Sequence, residues 1–161
     1  DASVLSMASP MSFFQFEADF VQSLRCIPME VRYKLDTCGV KLKLEHWHRF
    51  SQEERRSLTE IPCEPGELAA TYRQLLQDLV VKYTGNPAKE LPLDGSPPWM
   101  NDAEIPTQVQ EKAQDCQREL TLTQWQRLSP IQRFALIKLS RPSHENRNFV
   151  PALDEFGLST E

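Results

Sequence analysis

The longest regular run of apolar positions lies between Glu67 and Thr84, where Leu68, Tyr72, Leu75, Leu76, Leu79, Val80 and Tyr83 share one stripe of a helix and Gly85 supplies the stop. Upstream, Val31, Lys34 and Cys38 recur at helical spacing behind Pro28, which suits a first helical turn because it has no N–H to leave unpaired. Leu44, Trp47 and Phe50 then follow at three-residue steps, turning an indole inward. Ser51, with Glu54 three residues on, is a capping box for the next helix. The phenylalanine-rich start fits two periods: Phe14, Phe16, Ala18 and Phe20 alternate as in a strand, whereas Phe13, Phe16, Phe20 and Leu24 fit a helix, the preferred reading. Residues 1–12 carry no pattern and read as a flexible leader.

The same pattern returns 78 residues later. Ile27 to Leu58 aligns without gaps to Ile105 to Leu136 with twelve identities, including Pro28/Pro106, Lys34/Lys112, Cys38/Cys116, Trp47/Trp125, Ser51/Ser129 and Arg55/Arg133. This reads as an internal duplication. Each copy predicts three short helices: Thr121 with Gln124 repeats the capping box, and Ser129-Pro130 is a cap followed by proline. The copies span 27–84 and 105–156. Between them, Pro87, Pro92, Gly95, Pro97 and Pro98 mark residues 85–104 as an extended linker. The expected fold is all-α: a single helical domain over residues 13–158, built from two three- to four-helix halves. Neither copy alone is long enough to bury its Leu/Trp stripe.

Composition narrows the function. The 161 residues carry 18 Lys+Arg against 23 Asp+Glu, a net charge of −5, the wrong sign for wrapping nucleic acid or binding anionic lipid. No apolar run is long enough to span a membrane. The four cysteines, Cys26, Cys38, Cys63 and Cys116, form no Cys-x-x-Cys pair, so zinc-knuckle and thioredoxin-like motifs are excluded by spacing. With no secretory signal pattern, reduced thiols and a cytoplasmic location are expected.

Candidate chemistry is sparse. The chain holds no Gly-x-Ser-x-Gly elbow, phosphate-cradling glycine loop, dinucleotide fingerprint or His-Glu-x-x-His motif, so neither an enzyme nor a resident cofactor or metal is expected. Trp47 and Trp125 read as core, and Cys38 and Cys116 as small buried apolar groups. His46 and His48, two apart on a helix, diverge and cannot share an ion. The second copy differs from the first where Ile131, Phe134, Ala135, Leu136, Ile137 and Leu139 replace a polar helix with one that is apolar nearly all round. From its end emerges the polar run Ser140 to Asn148. A polar loop carried by the best-buried helix is a place for binding. Arg141, His144, Glu145, Asn146 and Asn148 are therefore the expected partner-binding residues.

Several strings carry a family resemblance: Phe16-Glu-Ala-Asp-Phe20, Leu24-Arg-Cys-Ile-Pro28, Lys34-Leu-Asp-Thr-Cys-Gly39, Lys41-Leu-Lys-Leu44 and, above all, Arg133-Phe-Ala-Leu-Ile-Lys-Leu-Ser-Arg-Pro-Ser-His-Glu-Asn146. From about Phe13 to Phe156 the chain resembles the nitrate reductase-associated proteins of oxygenic phototrophs. That resemblance implies a small cytoplasmic accessory factor required for active assimilatory nitrate reductase, with the reductase as partner and a chaperone-like role in maturing or assembling the molybdenum-cofactor enzyme. It supplies no catalytic residue set. Two alternatives stand beside it: a protein that itself carries molybdenum cofactor, and a small-anion-binding regulatory module using Arg141 and Arg147.

Overall fold

Helical periodicity decides most of the architecture. The computed structural model describes residues 13–18, 24–64, 66–93, 95–142 and 147–158 and is mostly helical. Contacts group these residues into two compact units, Glu17–Leu93 and residues 95–158 together with Phe14–Phe16.

In the first unit, α1 (Met29–Cys38) follows Pro28, an extended residue that cannot cap with its side chain. The first N–H is taken instead by the buried Glu17 carboxylate, which accepts from Met29 at 3.1 Å. Gly39 ends the helix in the left-handed region (φ 77°) and turns the chain into β1 (Val40–Lys41). Next come α2 (Leu44–Arg49), α3 (Gln52–Glu60) and the long α4 (Gly66–Thr84), stopped by Gly85 at φ 83°. Ser51 and Glu54 form the expected reciprocal cap of α3. The core joins Val31, Leu35 and Cys38 of α1 to Trp47, Phe50 and Leu58, and to Tyr72, Leu76 and Val80 of α4.

The all-α expectation needs one correction. Lys89–Glu90 forms β2, which pairs antiparallel with β1 in the register Val40↔Glu90 and Lys41↔Lys89. Gly39 permits this close return: its carbonyl accepts from Leu91 N–H at 2.8 Å, and a Cβ on it would lie 2.7 Å from the Leu91 oxygen. Gln77 of α4 holds the neighbouring Ala88 from both sides, donating to its carbonyl and accepting its N–H, each at 2.8 Å. The proline-rich stretch thus has structure of its own.

In the second unit, Pro98–Met100 is a short 3-10 turn, followed by α5 (Thr107–Asp115), α6 (Leu122–Arg127), α7 (Pro130–Leu139) and α8 (Phe149–Glu155). As the pattern predicts, α7 is the buried helix, with Phe134, Ala135, Leu136, Ile137 and Leu139 inside. Trp99 meets Phe134 edge-on at 5.0 Å. Phe14 and Phe16 stack on each other and meet Phe156 edge-on, and the Glu155 carboxylate accepts the Phe16 N–H at 3.0 Å. Gln15–Glu17 is a 3-10 turn; Phe20 lies outside the described residues, and Leu24, which the expected helix includes, is instead buried in a left-handed conformation (φ 58°) outside any helix.

The units share local devices. Trp47 and Trp125 are both fully buried; their Nε1 atoms donate to main-chain carbonyls upstream, of Leu24 at 2.7 Å and of Asn101 at 3.0 Å. Arg55 donates to the carbonyls of Trp47, His48 and Leu24, and Arg133 to those of Trp125, Leu128 and Trp99. Each guanidinium spreads its donors over three carbonyls at the ends of the short helices and in the loops beside them. The residue after each aligned cysteine, Gly39 or Gln117, is left-handed. Cys116 departs from expectation: it is half-buried, because α5 ends at Asp115 and leaves it as the capping residue, whereas Cys38 is buried as the last residue of α1.

Candidate functional site

Lys34 falls on the inward stripe of α1, between Val31 and Cys38, and is 5% exposed. A cation there needs partners, and it has them: Nζ donates to the carbonyls of Thr59 at 2.6 Å and Ile61 at 2.7 Å, with Glu30 at 3.7 Å. These carbonyls belong to the end of α3, where backbone oxygens lack helical partners and a positive charge is favoured. The Tyr72 hydroxyl completes the terminus by donating to Leu58 O at 2.7 Å. Burial lowers the Lys34 pKa below the ordinary lysine value, with Glu30 opposing. Burial likewise raises the Glu30 carboxyl, and Lys34 works against that rise.

Beside this latch opens a cleft of about 280 Å3, bordered by Glu30, Tyr33, Lys34, Glu60, Cys63 and Glu64. Tyr33 hydroxyl contacts both Glu64 carboxylate oxygens, at 3.2 and 3.4 Å. Burial first, and then the Glu64 charge, pushes its pKa far above the usual tyrosine value. The cleft presents three carboxylates, and its one ammonium is directed at two carbonyls and Glu30. That arrangement repels an oxyanion.

The sequence-predicted residues lie in the second unit. Arg141 is exposed just past α7, and Asn148 is half-buried and immediately precedes α8, without bonding that helix's N–H groups through its side chain. His144, Glu145 and Asn146 lie outside the described residues. The base of the segment is firmly held. Gln108 of α5 donates to Ile137 O at 3.0 Å and to Ser140 Oγ at 2.9 Å, while the Ser140 hydroxyl donates to Ile137 O. Arg141 and Arg147 are both exposed.

The remaining candidates serve structure. His46 Nδ1 accepts the Lys43 N–H at the start of α2, and His48 Nε2 lies 2.9 Å from Arg25 O. Sequence reasoning passed over Lys34 and Arg133 as buried polar anchors. The signal was present in both cases: each is an identity of the aligned segments, on a stripe otherwise apolar. Among the described residues no group of three or more His, Cys, Asp or Glu is placed to hold a metal ion, and no helix is long and apolar enough to cross a membrane.

The class these features define is a small acidic helical protein that fixes its short helices with buried Arg, Lys and Trp side chains. Residues 13–156 match the family model of the conserved nitrate reductase-associated proteins, and the chain belongs to that family. Searches of curated proteins and of solved structures find no match.

Proposed function

We propose that this protein is a cytoplasmic accessory factor for assimilatory nitrate reductase, assisting maturation or assembly of the molybdenum-cofactor enzyme by direct contact rather than by catalysis. The observation that carries this reading is the family match over residues 13–156. The segment from Arg141 to Asn148 is the proposed contact surface; the exposed Arg141, standing on a helix end secured by Gln108 and Ser140, supports it. Anchored polar segments of this kind suit modest, partly electrostatic interfaces. The same reading takes residues 27–84 and 105–156 as copies of one ancestral unit, supported by the matched Trp and Arg bonding.

The test is co-purification of the tagged protein with apo- and holo-reductase, alongside reductase activity in cells lacking the gene. Selective capture of the apo-enzyme and loss of activity are expected. Arg141→Ala combined with His144→Ala should reduce both while the protein stays folded. Retention of capture and activity in that folded variant removes the contact assignment, and full reductase activity without the gene removes the accessory role.

A further inference from the structure

We propose that Cys38 and Cys63 are a reversible modification site, a dithiol that a hydroperoxide converts to a disulfide within the first unit. The inference is independent of the reductase reading and rests on placement. Cys38 closes α1 and Cys63 lies in the segment between α3 and α4, yet both belong to the same buried cluster. Their thiols donate to carbonyls of consecutive α1 residues: Cys63 Sγ lies 3.6 Å from Lys34 O, and Cys38 Sγ 3.8 Å from Leu35 O. The two thiols therefore sit at neighbouring carbonyls of the same turn of α1. A duplicated framework does not require this pair, since the residue aligned with Cys63 is Arg141.

The two sulfurs are unequal. The neighbouring Cys63 thiol, aided by the Arg73 charge and opposed by burial, lowers the Cys38 pKa. The neighbouring Cys38, reinforced by burial, pushes the Cys63 thiol far up. Cys38 is thus the sulfur held toward thiolate, and Cys63 the one that keeps its proton. Cys63 borders the cleft, which brings a small oxidant to the edge of the buried cluster that holds Cys38.

The chemistry balances with one equivalent of hydrogen peroxide. The Cys38 thiolate attacks a peroxide oxygen; an S–O bond forms, the O–O bond breaks, and hydroxide leaves to take a proton as water. Cys63 sulfur then attacks the Cys38 sulfenic acid; the S–S bond forms, the S–O bond breaks, and the departing oxygen carries the Cys63 proton away as a second water. Two thiols are oxidised and one peroxide is reduced. Oxidation also removes both S–H donors from the Lys34 and Leu35 carbonyls, beside the Lys34 latch.

Peptide mapping of the reduced full-length protein after hydrogen peroxide, with alkylation under denaturing conditions, tests the proposal. Alkylatable thiols should fall from four to two, with the Cys38 and Cys63 peptides linked and the link reversed by dithiothreitol. Cys63→Ala should stop the reaction at a dimedone-reactive sulfenic acid on Cys38. Should that variant fold poorly, Cys26→Ser combined with Cys116→Ser must still form the same reversible link. Four alkylatable thiols after treatment, or first links through Cys26 or Cys116, overturn it.

Discussion

Arg133 reaches Trp125 through the main chain: its Nη1 donates to the Trp125 carbonyl at 3.2 Å while also meeting Leu128 O at 2.7 Å, and Nε meets Trp99 O at 2.7 Å. Three loop and helix-end carbonyls converge on one buried guanidinium. Arg133→Leu should cost about 2–4 kcal/mol in urea denaturation, because it withdraws charged donors from three buried or half-buried carbonyls at once. Arg133→Lys should recover little of that, since an ammonium lacks the planar fork. Arg55→Ala, at a half-exposed site, should cost less than Arg133→Leu.

Lys34→Met tests the latch on α3. Truncation strands the Thr59 and Ile61 carbonyls and leaves Glu30 without its cation, a loss of about 2–3 kcal/mol. Adding Glu30→Gln to Lys34→Met should return part of the loss, and a double-mutant cycle by thermal unfolding measures the coupling.

Glu54 sets an acid limit. Burial pushes its carboxyl up, but hydrogen bonds from Ser51 N–H, the Tyr83 hydroxyl and Lys82 outweigh that and hold it at about 2, against an ordinary 4.5. A depressed carboxyl stabilises the fold fully above its unfolded value and loses that contribution as pH falls through the folded one. The stability gap between the native protein and Glu54→Gln should be full above pH 4.5 and close as pH falls toward 2. Its size at neutral pH should be about 0.5 kcal/mol, given the exposure of Lys82.

Gly39→Ala and Gly85→Ala separate backbone strain from crowding. Both positions have positive φ, but a Cβ at Gly85 meets nothing, whereas one at Gly39 meets Leu91 O and Leu93. Gly85→Ala should cost about 1 kcal/mol and Gly39→Ala about 2–3 kcal/mol, read as the difference in melting temperature.

Helix positions, the capping boxes at Ser51 and Thr121, the cap at Ser129 and the inward tryptophans were legible in the sequence because each rests on local spacing. Strands of two residues have no period to read, so β1 and β2 were invisible. Lys34 and Arg133 looked like interruptions of apolar stripes, since only tertiary structure shows which carbonyls a buried cation will meet. The nearness of Cys38 to Cys63 depends on how α1 packs against the α3–α4 connection. Cys116 was misjudged for a local reason, a helix that ends one residue earlier than its counterpart.

The pairing of Val40 with Glu90 encloses everything from α2 to α4 in one loop. Contacts so distant along the chain are entropically costly before the intervening helices are in place. Leu91 can reach Gly39 only after α4 has turned the chain back. In order of assembly, the strand pair is the last stitch of its unit and the first to come undone. On warming, fraying should begin beyond Ala88 while α1 and α4 are still joined.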